Sequence, residues 1–70
     1  MSEIKRKFGA RLRNLRCRAG LHQIHLAEKV GVTVESISNI ERGVHGPRFD
    51  TLEKLAATLK VPLEELFRFD

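Results

Sequence analysis

Between Leu21 and Gly43 the chain reads LHQIHLAEKVGVTVESISNIERG, two short apolar-periodic segments broken at Gly31. Leu26, Ala27 and Val30 form the inward face of the first segment. Ile37, Ile40 and the methylenes of Glu41 form that of the second. Thr33, just after the glycine, offers a side-chain oxygen to cap the second segment. The pattern demands one helix, a tight turn and a second helix whose outer face is polar.

The flanking sequence extends the same period. Ile4, Phe8, Leu12, Leu15 and Ala19 recur at steps of four, four, three and four, the spacing of one helical face. Ser2 is placed to cap that helix and Gly20 to end it. The second helix runs from His22 or Gln23 to Val30, and the third from Val34 to Arg42. The stretch GVHGPRF, residues 43–49, has turn composition, with Pro47 keeping Gly46 out of helical geometry. Asp50, followed three residues later by Glu53, predicts a capping-box start for a fourth helix reaching Lys60. Its Leu52, Leu55, Ala56 and Leu59 face inward. Pro62 suits a first helical position, and Glu64 and Glu65 favour the positive end of a short fifth helix. The prediction is one all-α domain over residues 1–70, five short helices around a single core.

A chain of 70 residues buries only about 60% of the surface it exposes unfolded, and domains of this size are commonly helped by oligomerisation. No run approaches the roughly 18 apolar residues of a membrane span, and no signal peptide opens the sequence. Cys17 is the one cysteine, so an internal disulfide is excluded and a reducing, cytoplasmic setting is expected. The net charge of +4 is unevenly spread. Residues 1–20 carry seven Lys/Arg against Glu3, residues 21–48 balance, and residues 49–70 hold three bases against five acids. A basic front and an acidic rear suit a domain that turns one face to a polyanion.

If Ile37 points inward, a rotation of about 100° per residue turns Glu35, Asn39 and Arg42 outward on the third helix. Ser38 then lies on the flank and Val34 in the first turn. An exposed α-helix of this kind fits the major groove of B-DNA, roughly 12 Å wide. There Asn39 can bond an adenine edge, Val34 can pack on a thymine methyl, and Glu35 can accept from cytosine N4. Glu35 has an equally ordinary reading as a partner of the helix dipole. Arg42, Arg48, Arg11 and Arg13 are the candidate phosphate contacts, with Ser38 on the flank and the His22 imidazole beside them. Any single base among these also reads as part of a solvated face.

From about Phe8 to Phe67 these residues resemble the Cro/C1 (Xre) family of bacterial and phage repressors, including the small restriction–modification controllers. The resemblance implies a lambda-repressor-like fold in which the positions of Val34, Glu35 and Asn39 touch bases. Gln23 matches a glutamine that bonds a phosphate and braces the third helix. Arg48 matches a loop base sent to the DNA backbone or minor groove. Arg16 and Glu41 match an internal salt bridge, and both project from otherwise apolar faces. Phe67 matches a core position. The family pattern departs at Glu35, at His22, where a hydroxyl side chain is usual, and at Ile24, where a polar residue is usual.

The function implied is that of a transcriptional regulator reading a pseudo-palindromic operator on double-stranded DNA as a homodimer. It would act by occluding or touching RNA polymerase. Leu63 and Phe69, apolar beyond what one small core uses, are the expected dimer contacts. A second reading is an antitoxin-like module that binds a partner protein as well as DNA, motivated by Ile24, Leu63 and Phe69. Enzyme chemistry, metals and cofactors are not expected. His22 and His25 lack two further ligands at zinc spacing, and the sequence holds no glycine-rich phosphate loop or nucleophile elbow.

Overall fold

A computed structural model describes residues 2–69. Four α-helices and a terminal 3₁₀ turn pack around one core: α1 (Glu3–Arg18), α2 (Gln23–Val30), α3 (Val34–Glu41), α4 (Phe49–Leu59) and the turn Leu63–Phe67. The Ser2 hydroxyl caps α1 by accepting from the Lys5 N–H, with Glu3 in the first turn and Arg16 and Arg18 in the last. Those charges oppose the helix dipole at each end. Thr33 Oγ1 accepts from the Ser36 N–H at 3.0 Å and starts α3. Gly31 closes α2 in the left-handed region, φ +85°, where a glycine carries no steric cost. Lys60 ends α4 with φ +59°, a geometry a side chain disfavours.

Phe8, Leu12, Leu15, Leu26, Ala27, Val30, Ile37, Ile40, Leu52, Leu55, Ala56, Leu59 and Leu66 form the buried cluster. Every helix therefore contributes the stripe its period marks. The stripe on α1 is shorter than its sequence period, because Ile4 and Ala19 lie at the helix ends and are exposed.

Three other expectations are corrected. The fifth helix is a single 3₁₀ turn, bonded from the Glu65 N–H to the Pro62 carbonyl at 3.0 Å. The Arg11 guanidinium occupies the Glu65 carbonyl at 2.9 Å, and Arg68 turns extended, so no α-helical register propagates. Within that turn Leu66 enters the core, fully buried, while Phe67 is exposed. The Asp50–Glu53 capping box does not form. The N-cap of α4 lies two residues earlier, at Arg48 without a side-chain cap, and Asp50 Oδ1 accepts from the adjacent Thr51 N–H at 2.9 Å.

Helices α1 and α3 meet backbone to backbone at Gly9. A methyl group on Gly9 would lie 2.5 Å from the Glu41 carbonyl oxygen and closer still to that of Ile40. The missing side chain brings the basic helix α1 against the end of α3. That proximity makes the buried ion pair of the next section possible.

Candidate nucleic-acid interface

Helix α3 is held on its inner side by a polar network. Arg16 Nε donates to Glu41 Oε2 at 2.6 Å, and Arg16 Nη2 donates to Glu41 Oε1 at 3.0 Å. Both residues are buried. Arg16 Nη1 also donates to the Leu21 carbonyl at 2.9 Å, and Gln23 Nε2 donates to Glu41 Oε1 at 3.0 Å. One carboxylate thus ties the end of α1, the start of α2 and the end of α3 together. Hydrogen bonding to the Glu41 carboxylate raises the Arg16 guanidinium above its ordinary range, against the opposing effect of burial. Arg16 therefore stays charged across the physiological range, and the pair persists.

The outer side of α3 presents Val34, Glu35 and Arg42 exposed, with Ser38 and Asn39 half-buried between them. Arg42, the C-cap of the helix, donates from Nη2 to Asn39 Oδ1. This bond leaves the Asn39 amide N–H groups pointing to an incoming acceptor. The Asn39 oxygen keeps a second lone pair, so Arg42 orients the amide without closing it to a further donor.

Around this face, His22 is the N-cap of α2 but makes no side-chain cap bond. Its exposed ring lies 5.4 Å from that of His25, centroid to centroid. The first-turn N–H groups of α2 therefore carry no side-chain cap and are suited to a phosphate oxygen. Arg13 is exposed, one turn before Arg16 on the flank of α1 that meets α3. Arg48, in the loop before α4, has a side chain 87% accessible with only Asp50 Oδ1 near it, at 3.7 Å. A surface pair of that kind contributes little and yields easily to a phosphate.

Arg11 stands apart from this group. Its side chain is only 14% accessible and it clamps Glu65, with Nε on the carbonyl at 2.9 Å and Nη2 on Oε1 at 3.0 Å. Two residues on from Gly9, it points to the side of α1 away from α3. In this structure its guanidinium is engaged with Glu65 rather than free on the α3 side. Of the expected dimer contacts, Leu63 is exposed, whereas Phe69 is half-buried against the core with its ring 6.2 Å from Phe67.

Two features of the structure carry little signal in the sequence. Gly9 sits mid-helix, where an isolated glycine costs about 1 kcal/mol relative to alanine; that cost was the available signal for a close approach. Phe49 is the other: it closes a stretch of turn composition, and it stands 87% accessible. Among the described residues there is no group of three or more His, Cys, Asp or Glu able to hold a metal. None of their helices is long and apolar enough to cross a membrane.

Two short helices joined by a glycine turn, the second braced from behind and polar in front, define a helix-turn-helix domain. The helix-turn-helix family matches residues 12–66, and the chain belongs to it, in its Xre (Cro/C1) type. It is 38% identical over 60 residues to an uncharacterised HTH-type transcriptional regulator of Archaeoglobus fulgidus, covering 86% of each chain. Among solved structures it is similar to the restriction–modification controller protein C.AhdI of Aeromonas hydrophila. That likeness has a TM-score of 0.86 and 38% identity, over 90% of this chain and 96% of the other. The P22 c2 repressor, solved in complex with synthetic operator 9T, gives a TM-score of 0.82 and 30% identity, again over 90% and 96%. The chain spans about half the length of several other curated relatives it matches.

Proposed function

We propose that this protein is a sequence-specific DNA-binding transcriptional regulator that works as a homodimer on a pseudo-palindromic operator. The observation that carries the reading is the asymmetry of α3. Its inner side is locked by Arg16, Glu41 and Gln23, while its outer side offers Val34, Glu35, Ser38, Asn39 and Arg42 to a partner. A rigid helix with short polar side chains is suited to entering a major groove and reading base edges.

In this arrangement Asn39 reads an adenine, Val34 meets a thymine methyl, and Glu35 accepts from a cytosine amine. Arg42, Arg13 and Arg48 neutralise phosphates, joined by His22, Ser38 and the uncapped start of α2. Gln23 braces Glu41 through one amide hydrogen and keeps the other for the backbone. Two copies related by a two-fold axis would place their α3 helices in successive major grooves, about 34 Å apart. The P22 c2 repressor, similar in fold and 30% identical, was solved in complex with a synthetic operator, which supports DNA as the partner.

Selection of bound duplexes from a random pool tests the reading. The expected product is an inverted repeat with half-site centres about 10 base pairs apart. Recovery of sequences without a shared motif would contradict it.

A further inference from the structure

Lys7, Ala10, Arg11 and Asn14 lie three and four positions apart on one face of α1. The small Ala10 side chain leaves a hollow among its longer neighbours, and the chain that follows the 3₁₀ turn lies beside it. Together with Arg6, and with Arg68 and Phe69 from that chain, they line an open groove of about 490 Å³. None of the lining comes from α2, α3 or α4, so the groove is separate from the face proposed for DNA.

Every charged side chain in the lining is a base. Two acids pair with these bases from outside it. Glu3 lies 3.0 Å from Arg6 and 3.7 Å from Lys7, and Glu65 lies 3.0 Å from Arg11 and 3.2 Å from Arg68. Four bases against two carboxylates leave an excess of two positive charges. The Glu3 pairs are exposed, so they cost little to exchange for another anion. The Arg11–Glu65 pair is far less accessible and holds the end of the chain against α1.

We propose that this groove binds a nucleoside polyphosphate, with the phosphates on Arg6, Lys7 and Arg68 and the base against the Phe69 ring. Guanidinium forks and a lysine ammonium are the groups that hold phosphate oxygens. Phe69 packs against the core with part of its surface and lines the groove with the rest. A bare phosphate leaves that ring without a partner, whereas a nucleobase stacks on it. The Asn14 amide carries both a donor and an acceptor, the combination that pairs with a base edge. The volume falls within the roughly 300–1,000 Å³ of small-molecule sites. Single-stranded nucleic acid stacks successive bases on successive rings, and Phe69 is the one ring in this lining. The groove therefore suits one nucleotide.

Equilibrium dialysis of the full chain against ADP, without DNA, tests the assignment. Adenosine and inorganic pyrophosphate are the comparison ligands, since each carries one half of the recognition. ADP is expected to bind at least about tenfold more tightly than either. Arg68→Ala should weaken ADP binding at least about tenfold, the loss of one hydrogen bond to a charged group. Phe69→Leu, which keeps an apolar side chain against the core, should weaken ADP at least about fivefold and leave pyrophosphate unchanged. Both variants should keep the wild-type helical circular dichroism. Arg68 is exposed, so its variant decides the question even where Phe69→Leu loosens the end of the chain. Lys54→Ala, which removes an exposed base on α4, should leave ADP binding unchanged. A chain that takes up no ADP at millimolar concentration overturns the proposal. So does pyrophosphate binding as tightly as ADP, which reduces the groove to a patch of charge. An equal loss in Lys54→Ala and Arg68→Ala overturns it too. Failure of the regulator reading looks different: a chain that binds ADP in this groove yet binds no duplex DNA keeps this site and loses that function.

Discussion

Replacing Gly9 by alanine probes the contact on which the geometry of the DNA-facing helix depends. On an ordinary exposed helix the change stabilises by about 1 kcal/mol. Here the new methyl would meet the carbonyl oxygens of Glu41, at 2.5 Å, and Ile40, with the Glu41 carbonyl carbon at 2.8 Å. These are backbone atoms and cannot rotate away, so α1 and α3 must separate by about 1 Å to reach ordinary contact. A gap of that size forfeits roughly a quarter to a half of the dispersion energy of the atoms that line it. It also stretches the Arg16–Glu41 bonds, now 2.6 and 3.0 Å. Overpacking of well-packed interiors costs about 1–3 kcal/mol. With the strained ion pair added and the helix gain subtracted, Gly9→Ala should lose about 2–3 kcal/mol. For a domain of this size the melting temperature should then fall by roughly 10–20 °C. Thermal denaturation followed by circular dichroism reads this directly. Gly20→Ala is the control: with φ +74° and open space around it, it carries backbone strain alone and should lose about 1 kcal/mol. A Gly9→Ala protein that melts at or above the wild-type temperature would refute the close approach of α1 and α3.

Glu41→Ala should cost about 3–5 kcal/mol by leaving Arg16 buried without its counter-charge, enough to abolish a cooperative melt; the double change Arg16→Met, Glu41→Leu should recover most of it. Lys60→Gly should stabilise by about 0.5–1 kcal/mol in chemical denaturation, because the left-handed C-cap at φ +59° suits glycine. Arg42→Ala should weaken binding to every duplex and flatten the slope of log affinity against log salt by about 0.9, the signature of one lost phosphate contact. The same variant should loosen base preference at one position, since Arg42 also holds Asn39 Oδ1. At the N-terminus, hydrogen bonding to Arg6 holds the Glu3 carboxyl below its usual range. Its small contribution is therefore present above the ordinary carboxylate pKa and is lost as pH falls through the lowered value. Glu3→Gln should remove that segment of the acid dependence, read as a flatter melting temperature against pH below the ordinary carboxylate range.

Periodicity made the core legible. Leu12, Leu26, Ile37 and Leu55 each lie on a stripe that only a helix produces, and all are buried. The turn at Gly31 and the cap at Thr33 were equally readable, because each depends on local chemistry within a few residues. What the sequence concealed were contacts between distant segments. Arg11 looks like any base of a basic helix until Glu65, 54 positions away, takes its guanidinium. Whether Leu66 or Phe67 turns inward is a difference of one residue in a 3₁₀ turn whose register is fixed by that same bond. Phe49 is illegible because an aromatic at the end of a turn-like stretch reads equally well as core or turn. Only the packed fold shows that α4 begins there with the ring outside. On the candidate DNA face, outward placement follows from helical rotation. The bond between Arg42 and Asn39 does not, since it depends on side-chain conformation.

The most direct test of α3 as the base-reading element is Asn39→Ala, titrated on the selected operator and on random duplex across a range of salt. The side chain is half-buried on the outer face and carries no core packing, so the fold should be retained. Binding to the operator should weaken by about 1–3 kcal/mol, while binding to random DNA and the salt slope should barely change. Preference should relax at one base pair in each half-site. An Asn39→Ala protein that keeps full operator preference would contradict the placement of α3 in the major groove.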